Sequence, residues 1–94
     1  MKAIDKAIEV TSFNEKYDTK RLAIAIREKI NEENDAINSY MSLIPHLTDA
    51  YMISKIEDIA NEEKLHVGEL KYMLYNLDPS ELEQEEKGAK EASE

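Results

Sequence analysis

The feature that most constrains this chain is an apolar stripe of helical period, broken at its middle by ionisable residues. Met52, Ile56, Ile59, Glu63, His66, Leu70, Met73 and Leu77 recur at alternating spacings of four and three, and six of the eight are apolar. A heptad stripe of this kind belongs to a helix that buries one face against another helix. Upstream, Ile26, Ile30, Glu33, Ile37, Tyr40 and Ile44 repeat the same spacing, with Glu33 as the charged member. Both stripes thus place ionisable groups at the centre of the face they bury. A carboxylate there costs several kcal/mol unless it is paired, protonated or metal-bound.

The patterns predict long helices from Thr19 to Ile44 and from Thr48 or Asp49 to Leu77. Asn14 to Thr19 reads as a break, with Asp18 or Thr19 as N-cap. Pro45, His46 and Leu47 make the connection, because proline disfavours helical geometry in the residue before it. Asp78-Pro79-Ser80 closes the second helix and allows one further turn through Leu82 to Glu86. The expected organisation is an N-terminal arm or short helix over 1–18, a helical hairpin over 19–80 and an acidic tail or linker over 81–94. Within the arm, Ile4, Ala7 and Ile8 stand at helical spacing, enough for a short amphipathic piece. Two helices of this length, each roughly 38 Å long, joined by a short loop should pair antiparallel. Glu33 precedes Pro45 by 12 residues and Glu63 follows it by 18, so the two fall at roughly matching heights.

Composition narrows the function. The chain has 94 residues, 12 basic and 21 acidic, for a formal charge of −9, and no cysteine. That length allows one domain whose core is marginal without a metal or a partner chain. Lack of cysteine removes disulfides and thiolate chemistry. The acidic balance argues against nucleic acid and favours attraction of cations. No run is apolar enough to span a membrane, and Met1 to Val10 lacks a secretory apolar core. A cytoplasmic setting is the expectation.

Taken singly, Glu33, Glu63 and His66 are weak signals: a core histidine or a snorkelling glutamate is the commoner explanation. Their shared place on two facing stripes is what a carboxylate-bridged metal site requires. Di-iron carboxylate bundles draw one Glu from each of two helices and a Glu-x-x-His from each of two others. One chain here supplies half of that set; two chains supply four glutamates and two histidines, whose four negative charges balance two divalent cations. The expected architecture is therefore an all-α hairpin that dimerises into a four-helix bundle. Oxygen-rich sites with few nitrogens suit iron or manganese, with zinc and calcium as substitutes. Tyr40, seven residues after Glu33 on the same stripe, is either a hydrogen-bonding or electron-donating neighbour of the site or a packing tyrosine. Glu62 and Glu69 are candidates to orient the free imidazole nitrogen of His66, or else part of a solvated acidic face. His46 is assigned no role, and Met52 and Met73 read as packing residues.

The stretch Glu32-Glu33-Asn34-Asp35-Ala36-Ile37-Asn38-Ser39-Tyr40, followed by Asn61-Glu62-Glu63-Lys64-Leu65-His66, resembles the encapsulated ferritin family. The likeness runs roughly from Thr19 to Ser80. It implies a ferroxidase centre across a two-chain interface, with Glu33, Glu63 and His66 matching the family's iron ligands. It also implies dimers assembled into a ring of ten chains inside an encapsulin shell that stores the oxidised iron. Glu32 and Asp35, with Glu62, would form a secondary metal-binding site on the approach; a solvated acidic face is the alternative. Separate cargo members commonly end in a short targeting peptide with glycine and leucine, a signal that Gly88-Ala89-Lys90-Glu91-Ala92-Ser93-Glu94 does not carry. Other members are fused to the shell protein, and the tail would then be a linker. The competing readings are a rubrerythrin-like di-iron peroxidase, which the missing cysteine weighs against, a non-enzymatic helical-hairpin interaction protein, and metal sensing or buffering without turnover.

Overall fold

A computed structural model describes the backbone of residues 15–94 and side chains from Asp18 onward. The stretch expected to be an N-terminal arm lies outside the described residues as far as Asn14. Among the described residues the regular structure is entirely helical: α1 (Glu15–Met41), a single 3-10 turn (Ile44–His46), α2 (Ala50–Leu77) and α3 (Pro79–Ser93). The expected all-α helical hairpin is what forms. Its helix ends differ from the sequence expectation. α1 is already helical at Glu15, so Asp18 and Thr19 stand inside it. It stops at Met41, three residues before the expected Ile44, because Ile44-Pro45 opens the tighter turn with proline near its start. Leu47 then leaves in extended geometry, φ −104 and ψ 144. Of the two expected caps for α2, Asp49 does the work: its Oδ1 accepts from the Tyr51 N–H at 2.9 Å and its carbonyl from the Ile53 N–H at 3.0 Å. A short acidic side chain at this position satisfies amides that the helix itself leaves without partners.

The described chain divides into two compact units. In the unit Glu28–Leu70, parts of α1 and α2 pair through buried Ile30, Ala60 and Leu70. Half-buried Glu33, Ile37, Tyr40, Ile53, Ile56, Glu63 and Val67 extend that contact. This differs from the expected α2 stripe. Met52, Ile59 and Met73 are 48%, 38% and 39% exposed, whereas Ala60 is wholly buried. The buried face is turned toward Ile53, Ala60, Val67 and Leu74, and the parallel row at Met52, Ile59, His66 and Met73 forms its uncovered edge. The small, wholly buried Ala60 side chain lets α1 approach on that face.

The second unit joins the start of α1, through Arg27, to Lys71–Glu94. Ala23, Ile26 and Leu74 are its buried apolar residues. The acidic tail, expected to hold one further turn at most, is helical through Ser93. Its Glu, Gln, Lys and Ala residues have high intrinsic helix propensity, Pro79 occupies the tolerated first turn, and Glu83 pairs with Lys87 one turn on at 3.4 Å. Gly88, in open space, is its one weak position. Polar contacts attach the near end of α3. Arg27 reaches Asp78 Oδ2 at 2.6 Å and Glu81 Oε1 at 2.8 Å through different guanidinium nitrogens. Ser80 Oγ donates to Asp78 Oδ1 at 2.6 Å, and Tyr75 donates its phenolic proton to Glu85 at 2.5 Å. That acceptor pushes the Tyr75 phenol up to about 12. The Ser80 hydroxyl first, and the Arg27 charge after burial is offset, hold Asp78 below its ordinary value. Arg27→Ala should cost about 1 kcal/mol of stability. It should also speed amide hydrogen exchange across Pro79–Ser93 relative to Ala50–Leu70. Unchanged exchange there would show that helix propensity alone holds α3.

Candidate metal centre

Helical spacing builds the site. Glu63 and His66, three apart on α2, stand one above the other on neighbouring faces, and Glu33 meets them from α1. One ligand atom from each of the three lies within 4.8 Å of the others. His66 Nδ1 is 3.4 Å from Glu33 Oε2 and 3.7 Å from Glu63 Oε2. Neighbouring donors around an ion bound at about 2.1 Å stand roughly 3–3.5 Å apart. Two carboxylates and one imidazole nitrogen at these separations fit a divalent first-row cation. The carboxylates are largely covered, at 22% side-chain exposure each, while His66 is 49% exposed. The cluster therefore lies at the uncovered edge of the α1–α2 contact, with the imidazole on its outer side.

The three groups titrate as a set. Glu63 keeps a proton above the usual carboxylate range because it donates that proton to Glu33, with burial and the Glu33 charge adding to the effect. Glu33 is correspondingly lowered, first by that hydrogen bond and then, against burial, by His66. His66 is raised, first by its hydrogen bond to Glu33 and then by the charges of both glutamates. Without a metal, the hydrogen bond between the carboxylates and an imidazole biased toward its charged form offset the repulsion in this pocket. A cation can take their place, since metal binding requires deprotonated ligands.

The other acidic candidates and His46 are not among the converging ligand atoms. Tyr40 is half-buried on α1, two turns beyond Glu33, and its hydroxyl makes no hydrogen bond to the three. Glu32 and Asp35 are exposed, and Glu32 is engaged by Lys29 at 3.4 Å. Glu62 is exposed beside Asp58, Asn61 and Leu65 in a shallow depression of about 370 Å³, and Glu69 is exposed. His46 is exposed in the 3-10 turn. Sequence reasoning passed over Lys29, although a lysine one turn before Glu33 on the same helix was a readable signal.

Over 78 residues, 83% of its length, the chain is 36% identical to the ferritin-like–encapsulin shell fusion protein of Pyrococcus furiosus. It spans 23% of that relative's length. The likeness relates the chain to an encapsulin-associated ferritin-like protein. No family model matches the chain, and no solved structure gives a significant match. Among the described residues, no helix is long and apolar enough to cross a membrane.

The titration has a definite sign. A raised His66 pKa means that its attraction to Glu33 and Glu63 is fully present below the ordinary histidine range and is lost as pH rises through the elevated value. Glu33→Gln should return the NMR-measured His66 pKa toward its ordinary value, and affinity for a divalent cation should rise with pH through the same titration. A His66 titration indifferent to Glu33→Gln would break this coupling.

Proposed function

We propose that the chain oxidises iron(II) with dioxygen at a centre shared between two copies, as the ferritin-like part of an encapsulin-associated iron-storage system. The observation that carries this reading is the convergence of Glu33, Glu63 and His66 at the uncovered edge of the helical pair. Three donors leave coordination positions open, as oxygen chemistry requires. They are also half of the ligand set of a carboxylate-bridged di-iron bundle. A second copy laid along Met52, Ile59 and His66 would bury exposed apolar surface and supply the missing donors. Glu33 and Glu63 would hold iron(II) by their carboxylates, and His66 would bind through an imidazole nitrogen. Iron bound there supplies the electrons that reduce dioxygen. Metal binding requires deprotonated ligands, so it would release any proton that Glu63 or His66 carries.

The similarity to a ferritin-like–encapsulin shell fusion supports a shell as partner and a protein compartment as location. Ring assembly of ten chains belongs to the same reading. The exposed row of Met52, Ile59 and Met73 also supports a second reading, a metal-independent interaction helix. Glu33→Ala, Glu63→Ala and His66→Ala should each slow the appearance of ferric product under air at least tenfold, by the loss of one donor. Wild-type rates in all three would remove the oxidase assignment. Anaerobic native mass spectra should show even-numbered assemblies taking up about one iron per chain. Dimers that ignore iron would favour the interaction helix.

A further inference from the structure

The turn end of the α1–α2 pair differs in character from the rest of the chain. Over residues 36–54, nineteen in a row, Asp49 is the one formal charge, whereas 35% of the whole sequence is charged. That carboxylate is engaged locally, since its Oδ1 accepts from the Tyr51 N–H at 2.9 Å. Other polar groups of the turn are satisfied within it as well. Ser42 Oγ donates to the Ser39 carbonyl at 2.7 Å, and the His46 and Leu47 amides donate to the Leu43 and Ile44 carbonyls at 2.9 and 3.0 Å. What the turn presents outward is apolar: Met41, Leu43, Tyr51 and Met52 are 41–67% exposed. These four come from the end of α1, the connection and the first turn of α2. The Lys55 ammonium, 5.6 Å from the Tyr51 ring centroid, is the first charge beyond them along α2.

Exposed apolar residues gathered in one place mark a contact site, and the charge of the chain indicates what fits there. At a net charge of −9 two copies repel wherever their acidic faces meet. The turn is where two copies approach with least repulsion, and a face that meets itself needs no second complementary surface. We propose that the turn between α1 and α2 is a self-association surface, in which Met41, Leu43 and Tyr51 of one copy pack against the same residues of a second. The contact is small and therefore weak. Its internally hydrogen-bonded backbone keeps the ordering cost of association low. It goes beyond the iron-oxidising reading and does not depend on it. The edge that carries Ile59 and His66 would join two copies around the metal, and the turn would join such pairs into larger assemblies. Growth beyond a pair needs two different contacts per chain.

The test is sedimentation equilibrium of the full-length chain in EDTA, at concentrations up to the order of 1 mM, the range a weak contact requires. Wild type, the double variant Leu43→Glu with Tyr51→Glu, and Ile59→Glu are compared, with circular dichroism confirming equal helix content. Raising salt from about 0.01 M to about 1 M shortens the screening length from about 30 Å to about 3 Å. Wild-type self-association should strengthen over that range, the reverse of an ionic contact. The double variant should associate roughly tenfold or more weakly at both salts, having lost apolar contact and set carboxylates face to face. Ile59→Glu should keep the turn contact. A double variant that associates as wild type does overturns the proposal. So does a wild type that stays monomeric at high salt, which would give the turn to a different partner. Anaerobic iron(II) uptake, read by native mass spectrometry on the same proteins, reports on the cluster separately. No uptake by wild type would remove the metal centre, while the turn contact stands or falls on association alone.

Discussion

Two carboxylates brought against one another in a helix–helix contact are the condition around which the chain is arranged. Glu33 and Glu63 cannot both stay ionised at close range without compensation. The protein compensates with a hydrogen bond between them and with His66, whose Nδ1 lies within 3.7 Å of both glutamates. The compensation is replaceable, because protons can be exchanged for a cation. An apolar substitution at these positions would make a quieter core, and the retained repulsion is the physical basis of the metal-binding proposal.

The helices around the cluster follow from the same requirement. α1 and α2 meet through few fully buried residues, Ile30, Ala60 and Leu70 in the unit that holds the site. A core this thin leaves one long edge of α2 open, and the cluster sits on that edge. The cluster is therefore open to an ion from solvent, and under the proposed function a second copy would complete it along that edge.

The period of the sequence is enough to read two long helices, the turn at Pro45 and the meeting of Glu33 with Glu63 and His66. These depend on spacing, which is local information. The rotation of α2 is not readable in the same way. Rows at Met52, Ile59, His66, Met73 and at Ile53, Ala60, Val67, Leu74 both repeat every seven residues, and only the facing helix decides between them. The helicity of the tail is hidden for a different reason. With almost no large apolar residues it offers no stripe, and its order comes from propensity and from Arg27, which lies 51 and 54 residues from its partners Asp78 and Glu81. Contacts between such distant charges leave no periodic trace in a chain so rich in both signs.

The full burial of Ala60 has a mechanical consequence for the Glu33–Glu63–His66 cluster. Ala60 stands one turn before Glu63, facing α1, so its single methyl group sets the gauge between the two helices. A larger side chain there would act as a wedge, opening the jaws that carry Glu33 on one side and Glu63 with His66 on the other. The spacing of the three donors, and with it the size of ion the proposed centre would hold, would thus depend on a residue with no donor atom at all.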